Sequence, residues 1–230
     1  MSSAPFAARL ATGALNDGDL GFLAHSGCLP SDPLAQDAAS FAAARRRMRP
    51  VDLDYLILVP TLRCNLSCSY CQVSRADERA REFDWSPAVR DDVLRLVGTL
   101  TAPAVKIEFQ GGEPTLRPDL IAEVIAAVPH GIDASFVICT NLERIDERTL
   151  ALFDRPDVTI STSLDGDIAT HRRQRPQART PARDDFETNL SFLLERYGPG
   201  KISALPTIDP VAPPPMDDLI DAYTAHGFTS

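Results

Sequence analysis

Long apolar runs, basic charge and histidine are all scarce in this sequence of 230 residues. No stretch comes near the roughly 18 consecutive apolar residues that a transmembrane helix needs, and the first residues lack the charged and apolar regions of a signal peptide. The sequence has 23 Lys and Arg but 32 Asp and Glu, so the formal net charge is −9. Nucleic acids and anionic membranes are bound by basic faces. We therefore expect a cytoplasmic protein whose partners include neither a nucleic acid nor a membrane.

Cysteine is also rare, and it is unevenly distributed. Of the five cysteines, three lie within eight residues of one another, at Cys64, Cys68 and Cys71. An odd number clustered in this way does not fit a disulfide framework, but it does fit a metal or redox site in a reducing compartment. Cys139 lies in an apolar stretch and is expected to be a small buried core residue, whereas Cys28 receives no role.

A regular alternation of strand-like and helix-like segments begins at residue 53. Residues 1–52 have no clear period and form a separate N-terminal segment, in which we expect a turn over 16–19 and a short helix over 35–48. The remainder, 53–230, has five predicted strands at 56–59, 105–109, 135–139, 158–163 and 202–208. The predicted helices cover 87–100, 118–128, 147–153, 186–197 and 216–226.

Five strand–helix units in sequence predict the α/β fold class. Strands that alternate with helices imply parallel pairing through helical crossovers. The pattern alone leaves open whether the sheet closes partly into a (β/α) barrel or stays an open doubly wound sheet.

The cysteine loop follows the first predicted strand and offers three thiols for a metal centre. A [4Fe–4S] cluster usually takes four thiolates, so three would leave one iron open to chelation by a small molecule with a free amine and carboxylate. The alternatives are a structural zinc site and chance spacing. Zinc would need a fourth ligand, and the four histidines stand singly along the chain with no second Cys or His pair.

Polar side chains also follow three later predicted strands. Glycines allow close backbone approach, Glu113 can accept hydrogen bonds from an amine, and hydroxyls can bind a ribose or an amino-acid head group. Each motif alone is equally typical of a turn. Because the carboxyl ends of parallel strands build the active sites of α/β proteins, their shared position favours one common site. The motifs are Gln110-Gly111-Gly112-Glu113-Pro114, Thr140-Asn141 and the run from Ser161 to Gly166.

Together these motifs resemble the radical-SAM family, whose pattern is Cys-x3-Cys-x-aromatic-Cys followed by Gly-Gly-Glu-Pro. The resemblance implies a partial (β/α)6 barrel in which Cys64, Cys68 and Cys71 hold a [4Fe–4S] cluster. It also implies reductive cleavage of S-adenosylmethionine to a 5′-deoxyadenosyl radical that abstracts hydrogen from the substrate. No further catalytic residue is assigned. The implied S-adenosylmethionine contacts are Tyr70 at the adenine, Gly111, Gly112 and Glu113 at the methionyl amine, Ser163 and Asp165 toward the ribose, Arg175 at the carboxylate, and Gln110 and Asn141 with no part of the cofactor assigned.

The sequence is most similar to sulfatase-maturase-like peptide maturases, and among these to the His-Xaa-Ser system radical-SAM maturases. This similarity implies a ribosomally synthesised precursor peptide as substrate and an electron donor such as flavodoxin or ferredoxin. The family continues with a sixth strand and further cysteine-bound clusters, so we expect an incomplete barrel that lacks the sixth strand, truncated at the C-terminus. Two alternatives stay open: a catalytically silent fragment that binds cofactor or peptide, and a zinc-stabilised α/β protein.

Overall fold

The computed structural model describes Phe6, Arg9 and residues 15–25, 52–178 and 186–228, without the side chains of residues 24 and 25. The chain divides into two compact units, Met1–Val51 and Asp52–Ser230. The helix predicted over 35–48 and Cys28 lie outside the described residues. No helix within the described ranges is long and apolar enough to cross a lipid bilayer.

The first unit contains a helix, α1 (Asp17–His25), where the sequence predicted a turn. Asn16 begins this helix as a cap, because its side-chain oxygen accepts a hydrogen bond from the Asp19 backbone at 2.9 Å. Arg9 pairs with Asp19 at 2.5 Å, and the rings of Phe6 and Phe22 meet edge to face at 5.5 Å. The predicted turn residues are therefore a helix start.

The second unit is built on a five-stranded parallel sheet, as predicted for the α/β class. Its strands are β1 (Tyr55–Leu58), β4 (Ala104–Phe109), β5 (Asp133–Cys139), β6 (Val158–Ser163) and β7 (Ile202–Leu205), and a small separate parallel pair is β2 (Arg63–Cys64) with β3 (Ala76–Asp77). In the sheet the strands lie in the order β1, β4, β5, β6, β7, and every neighbouring pair is parallel. A doubly wound sheet reverses its strand order at a switch point, whereas this order never reverses. The sheet is open but has the connectivity of a partial barrel.

Helices connect consecutive strands of the sheet. The prediction of Ser86 as an N-cap is confirmed, because its side chain accepts a hydrogen bond from the Val89 backbone at 3.3 Å and Pro87 follows it. The helices are α2 (Pro87–Gly98), α3 (Pro118–Ala127), α4 (Glu147–Phe153), α5 (Ile168–Gln174), α6 (Phe186–Tyr197) and α7 (Met216–Ala225), with single 3-10 turns at Pro114–Leu116 and Pro199–Lys201.

The two faces of the sheet differ in character. Side chains alternate between faces along a strand, and one face is closed off by apolar residues that pack against α2, α3, α4 and α6. The Phe109 and Phe136 rings stack there at 6.5 Å. The opposite face carries polar residues such as Lys106, Glu108 and Ser161, and it lines a cavity of about 720 Å³. The carboxyl ends of the strands, where the sequence motifs lie, form the edge between these two environments.

Candidate cofactor site

The three clustered cysteines lie on one loop that starts at β2. Cys64 ends β2 and is buried, whereas Cys68 and Cys71 are half-buried, and all three thiols are free. Two N–H groups point at the Cys64 sulfur: the Leu66 backbone at 3.4 Å and the Asn141 side chain at 3.7 Å. Hydrogen bonds to ligand sulfurs are among the interactions that set the potential of iron–sulfur clusters.

Burial disfavours the thiolate form of two of these cysteines. Burial is the main cause that raises the pKa of the Cys64 thiol to about 12, and the charge of Glu113 is the second. Burial also raises the pKa of Cys68. Metal binding deprotonates a thiol outright, so loading this loop with a metal centre releases protons.

The loop offers three thiol donors, one fewer than a structural zinc ion requires. In the described part of the chain, no three His, Cys, Asp or Glu side chains are arranged as ligands of one metal ion. A structural zinc ion requires four ligands around a common point. A [4Fe–4S] cluster instead presents separate irons to separate thiolates, and three free thiols on one loop fit that requirement.

A strap segment, defined here as residues 174–178, begins at the last residue of α5 and pairs with the cysteine loop. The pairing is antiparallel at Leu66 and Gln177. Further backbone bonds run from Ser67 N to Pro176 O (2.8 Å), from Ser69 N to Gln174 O (3.4 Å) and from Ala178 N to Asn65 O (2.9 Å). Because these bonds satisfy backbone groups on both sides of Cys68, the strap segment holds the loop in place.

A buried carboxylate joins the loop and the strap segment. Asp165 is fully buried and accepts hydrogen bonds from the Tyr70 hydroxyl, from Arg175 Nε at 2.7 Å and from the Thr207 backbone at 2.9 Å. The Arg175 guanidinium also lies over the Tyr70 ring, 5.3 Å from its centre. Three of the predicted cofactor residues therefore contact one another, and their contacts to S-adenosylmethionine stay predictions.

Substitution of Asp165 by asparagine should strongly destabilise this unit. The change leaves the Arg175 guanidinium buried without its ion partner, which costs about 3 kcal/mol or more of unfolding free energy. Urea unfolding followed by circular dichroism measures the loss.

The chain provides a matched control for this variant at the surface. Asp154 accepts hydrogen bonds from Tyr197 and Arg196, and Arg196 lies over the Tyr197 ring at 5.4 Å. That set is exposed, with 44% of the Asp154 side chain open to solvent against 0% for Asp165. We expect Asp154→Asn to cost far less stability than Asp165→Asn, because water screens an exposed ion pair. Equal losses in the two variants would contradict the structural role given to Asp165.

The two glycines of the Gly-Gly-Glu motif pack against the backbone that leads into Cys64. Gly112 N donates to Thr61 O at 3.0 Å, and Glu113 N donates to Arg63 O at 2.7 Å. A Cβ on Gly112 would lie 2.5 Å from the Leu62 carbonyl oxygen, and Gly111 has φ +136°, which favours glycine. The glycines were predicted to let the backbone approach a ligand closely, and here they let it approach the backbone before Cys64. Binding of the methionyl amine stays a prediction.

Glu113 lies inside the protein, 2% exposed, and joins the Gly-Gly-Glu motif to the Thr140-Asn141 motif. Its carboxylate accepts from Thr115 Oγ1 at 2.7 Å and from the Asn141 backbone at 2.8 Å. Burial raises the pKa of Glu113, and these hydrogen bonds offset only part of the rise. Asn141 in turn donates its amide to Asn65 Oδ1 at 2.8 Å, so it contacts the cysteine loop directly.

Two further predicted residues lie at strand ends. Gln110 directly follows β4 and donates its amide to Glu108. Ser163 ends β6, is half-buried and pairs with Leu205 of β7. The structure brings the ends of β4, β5 and β6 to one edge with the cysteine loop, as the sequence predicted.

Asp84 anchors the chain that leads into the cysteine loop, although no motif in the sequence marks it. Asp84 accepts hydrogen bonds from Arg63 Nε at 2.7 Å, Arg117 Nη1 at 2.9 Å and Thr61 Oγ1 at 2.6 Å. These residues are too far apart in the sequence to form a motif. The only local signal is the position of Arg63 directly before Cys64.

Comparisons with known proteins agree with this architecture. The Radical SAM superfamily profile matches residues 58–205, which is more than half of the chain. The chain is 32% identical over 147 residues to a GTP 3′,8-cyclase of Chlorobaculum tepidum, covering 63% of this chain and 41% of the cyclase. The structure of anSMEcpe with bound AdoMet and Cp18Cys peptide has a TM-score of 0.58 at 20% identity, covering 76% of this chain and 48% of that one. Streptococcus suis SuiB bound to precursor peptide SuiA has a TM-score of 0.52 at 20% identity, covering 84% and 42%.

The superfamily match decides the identity of the second unit. The chain spans about two fifths of the length of the curated relatives it matches, and at such low identity the two solved structures support the fold alone. The cofactors of the superfamily are a [4Fe–4S] cluster and S-adenosylmethionine, which the described thiol loop is suited to receive. The chain belongs to the Radical SAM superfamily.

Proposed function

We propose that this protein is a radical-SAM enzyme that modifies a ribosomally synthesised peptide of the His-Xaa-Ser type. In this proposal Cys64, Cys68 and Cys71 hold the cluster, and S-adenosylmethionine binds at the open iron. One observation carries the proposal: three free thiols lie on one loop at the carboxyl edge of a parallel sheet, and the strap segment fixes that loop from the other side.

The chain's own residues would hold and tune the cofactors. The Leu66 and Asn141 N–H groups direct hydrogen bonds at the Cys64 sulfur, which would stabilise the thiolate bound to iron. Tyr70 lies half-buried beside Arg175, where its ring could meet the adenine. When bound, the cluster supplies the electron that cleaves S-adenosylmethionine and so generates the radical for hydrogen abstraction.

In this proposal the Arg175 guanidinium would donate hydrogen bonds to two carboxylates, that of Asp165 and that of S-adenosylmethionine. It is bonded to Asp165 through Nε and one terminal nitrogen, and a guanidinium has five N–H donors. Its remaining donors can therefore serve the carboxylate of S-adenosylmethionine without loss of the Asp165 pair.

A peptide substrate is supported by the motifs, which resemble those of the His-Xaa-Ser maturases. The fold is compatible with such a substrate, because anSMEcpe was solved with the Cp18Cys peptide and SuiB with the precursor peptide SuiA. We propose a low-potential electron donor such as flavodoxin or ferredoxin, and a cytoplasmic location where thiols stay reduced.

The test is anaerobic reconstitution with iron and sulfide, followed by dithionite and S-adenosylmethionine. We expect 5′-deoxyadenosine and methionine to form in equal amounts, measured by liquid chromatography with mass spectrometry. Binding of S-adenosylmethionine without formation of 5′-deoxyadenosine would instead support a catalytically silent module. One zinc per chain and no sulfide after anaerobic purification would support the zinc alternative.

The substrate class is tested in the same assay. A synthetic peptide with His-Xaa-Ser repeats should increase the rate of 5′-deoxyadenosine formation and should change mass, whereas GTP should do neither. Stimulation by GTP alone would contradict a peptide substrate and would favour the activity named for the cyclase relative.

A further inference from the structure

The cavity on the polar face of the sheet includes Glu108, which lies two residues before Gln110 of the Gly-Gly-Glu motif. It has a volume of about 720 Å³, and its walls come from β4, β5, β6 and β7 together with residues around 199–201 and 227–228. A cavity of this size can enclose a side chain with part of its peptide backbone. Its polar wall residues are Lys106, Glu108, Thr159, Ser161, Lys201 and Ser203.

Glu108 is the second-last residue of β4, and Gln110 of the Gly-Gly-Glu motif donates to its carboxylate. Two further donors fix the carboxylate from neighbouring strands, the Tyr55 hydroxyl at 2.5 Å and the Cys139 thiol at 3.3 Å. Cys139 therefore lies on the cavity face and is half-buried, so the expectation that it is a buried core residue is wrong.

The carboxylate of Glu108 keeps a negative charge and room for another donor. Burial alone would raise its pKa, but the hydrogen bonds from Tyr55, Gln110 and Cys139 and the charge of Lys106 outweigh burial, so the pKa of Glu108 is lowered. A carboxylate offers about four acceptor positions, and three intramolecular donors leave one of them for a ligand.

The positive charges of the cavity have other contacts. Lys201 donates its ammonium group to the Arg155 carbonyl oxygen at 2.5 Å. Lys106 lies 5.6 Å from the centre of the Tyr55 ring. Glu108 is therefore the acidic residue of the cavity wall, and it is hydrogen-bonded to Gln110 of the Gly-Gly-Glu motif. The Thr159 hydroxyl donates to the Phe136 carbonyl oxygen at 3.2 Å and can still accept a hydrogen bond from a peptide N–H.

We propose that Glu108 is a specificity residue that binds a positively charged N–H donor side chain of the peptide substrate, such as a histidine imidazolium. This inference rests on the proposed peptide-modifying function. A charge-assisted hydrogen bond to a fixed carboxylate is roughly twice as strong as a neutral one, so the residue would hold one substrate side chain in the cavity.

The experiment compares short capped peptides that differ at one position. The peptide Ala-Ala-Xaa-Ala-Ser-Ala, with histidine, lysine or alanine at Xaa, is titrated into the anaerobic, cluster-loaded protein with S-adenosylmethionine at pH 6, where imidazole is largely protonated. Isothermal titration calorimetry should give at least tenfold tighter binding for the histidine and lysine peptides than for the alanine peptide. Glu108→Gln should remove that difference, because glutamine keeps the size but not the charge.

Two controls separate this result from a fold defect or from failure of the proposed function. Glu147→Gln changes an exposed glutamate in the first turn of α4, away from the cavity, and should keep the tenfold preference. If Glu108→Gln does not fold, a glutamate peptide titrated into the unmodified protein should bind more weakly than the alanine peptide. Equal affinities for all peptides, or no binding of any, would overturn the inference. Failure of the proposed function has a different readout, the absence of 5′-deoxyadenosine with every substrate.

Discussion

Gly112→Ala should lower the unfolding free energy of the second unit by about 3 kcal/mol or more and should remove most of its cluster binding. The added methyl group would meet the carbonyl oxygens of Arg63 and Leu62, the latter at 2.5 Å. Both are backbone atoms that cannot rotate away, and overpacking of this kind typically costs about 1–3 kcal/mol or more. The backbone that must shift leads directly into Cys64, so the substitution should also displace the first thiol of the loop.

Two measurements on the same protein check this expectation. Urea unfolding gives the change in stability, and iron analysis after anaerobic reconstitution gives the cluster content per chain. The control is Gly98→Ala at the end of α2, where the nearest atom to an added Cβ is the Ala127 carbonyl oxygen at 3.8 Å. Alanine is the better helix former, so the control should be neutral or slightly stabilising. A Gly112→Ala protein with full stability and full iron content would show that the glycine is not needed for close packing.

Cys68→Ala should abolish the cluster altogether. Cys68 lies in the middle of the loop. In the proposed cluster three irons have a thiolate ligand and one iron is open, so the variant would leave two irons without a protein ligand. We expect less than about a tenth of the iron and sulfide found in the unmodified protein, because the ligand bonds supply the binding free energy of such a centre.

Cys139→Ala is the matched control for the cysteine experiment. This half-buried thiol donates to Glu108 and takes no part in the loop, so its removal should leave the iron and sulfide content unchanged. Full cluster retention in Cys68→Ala, or cluster loss in Cys139→Ala, would show that the ligand assignment is wrong.

The sheet could be predicted from the sequence because its strands are short apolar runs between clear helix signals. The prediction of 158–163 matches β6, and 147–153 matches α4. The last strand was predicted too long, since it ends at Leu205 and the next residue, Pro206, has no N–H to continue the ladder. Helix α5 was missed because its sequence has few apolar residues, although Asp167 caps it by accepting from the Thr170 backbone at 2.8 Å.

The part of the site that lies on strand-end motifs could be predicted from the sequence, whereas the part held by backbone bonds or long-range pairs could not. Motifs at strand ends located the cysteine loop, Glu113 and Asn141 at one edge, because parallel strands bring their carboxyl ends together. The strap segment bonds to the loop through backbone groups. Every residue type has these groups, so the contact cannot be predicted from the amino-acid types. Asp84 and Glu108 act through partners distant in the sequence, and a single sequence carries no sign of such pairing.

The electron paramagnetic resonance spectrum of the dithionite-reduced protein, recorded with and without S-adenosylmethionine, is the decisive measurement on the cysteine loop. The proposal is that three thiols hold a four-iron cluster whose remaining iron is open to the cofactor. It predicts the signal of one reduced [4Fe–4S] cluster per chain, with g-values that shift when S-adenosylmethionine is added. A protein that shows no cluster signal, or one whose signal is the same with and without S-adenosylmethionine, would contradict it.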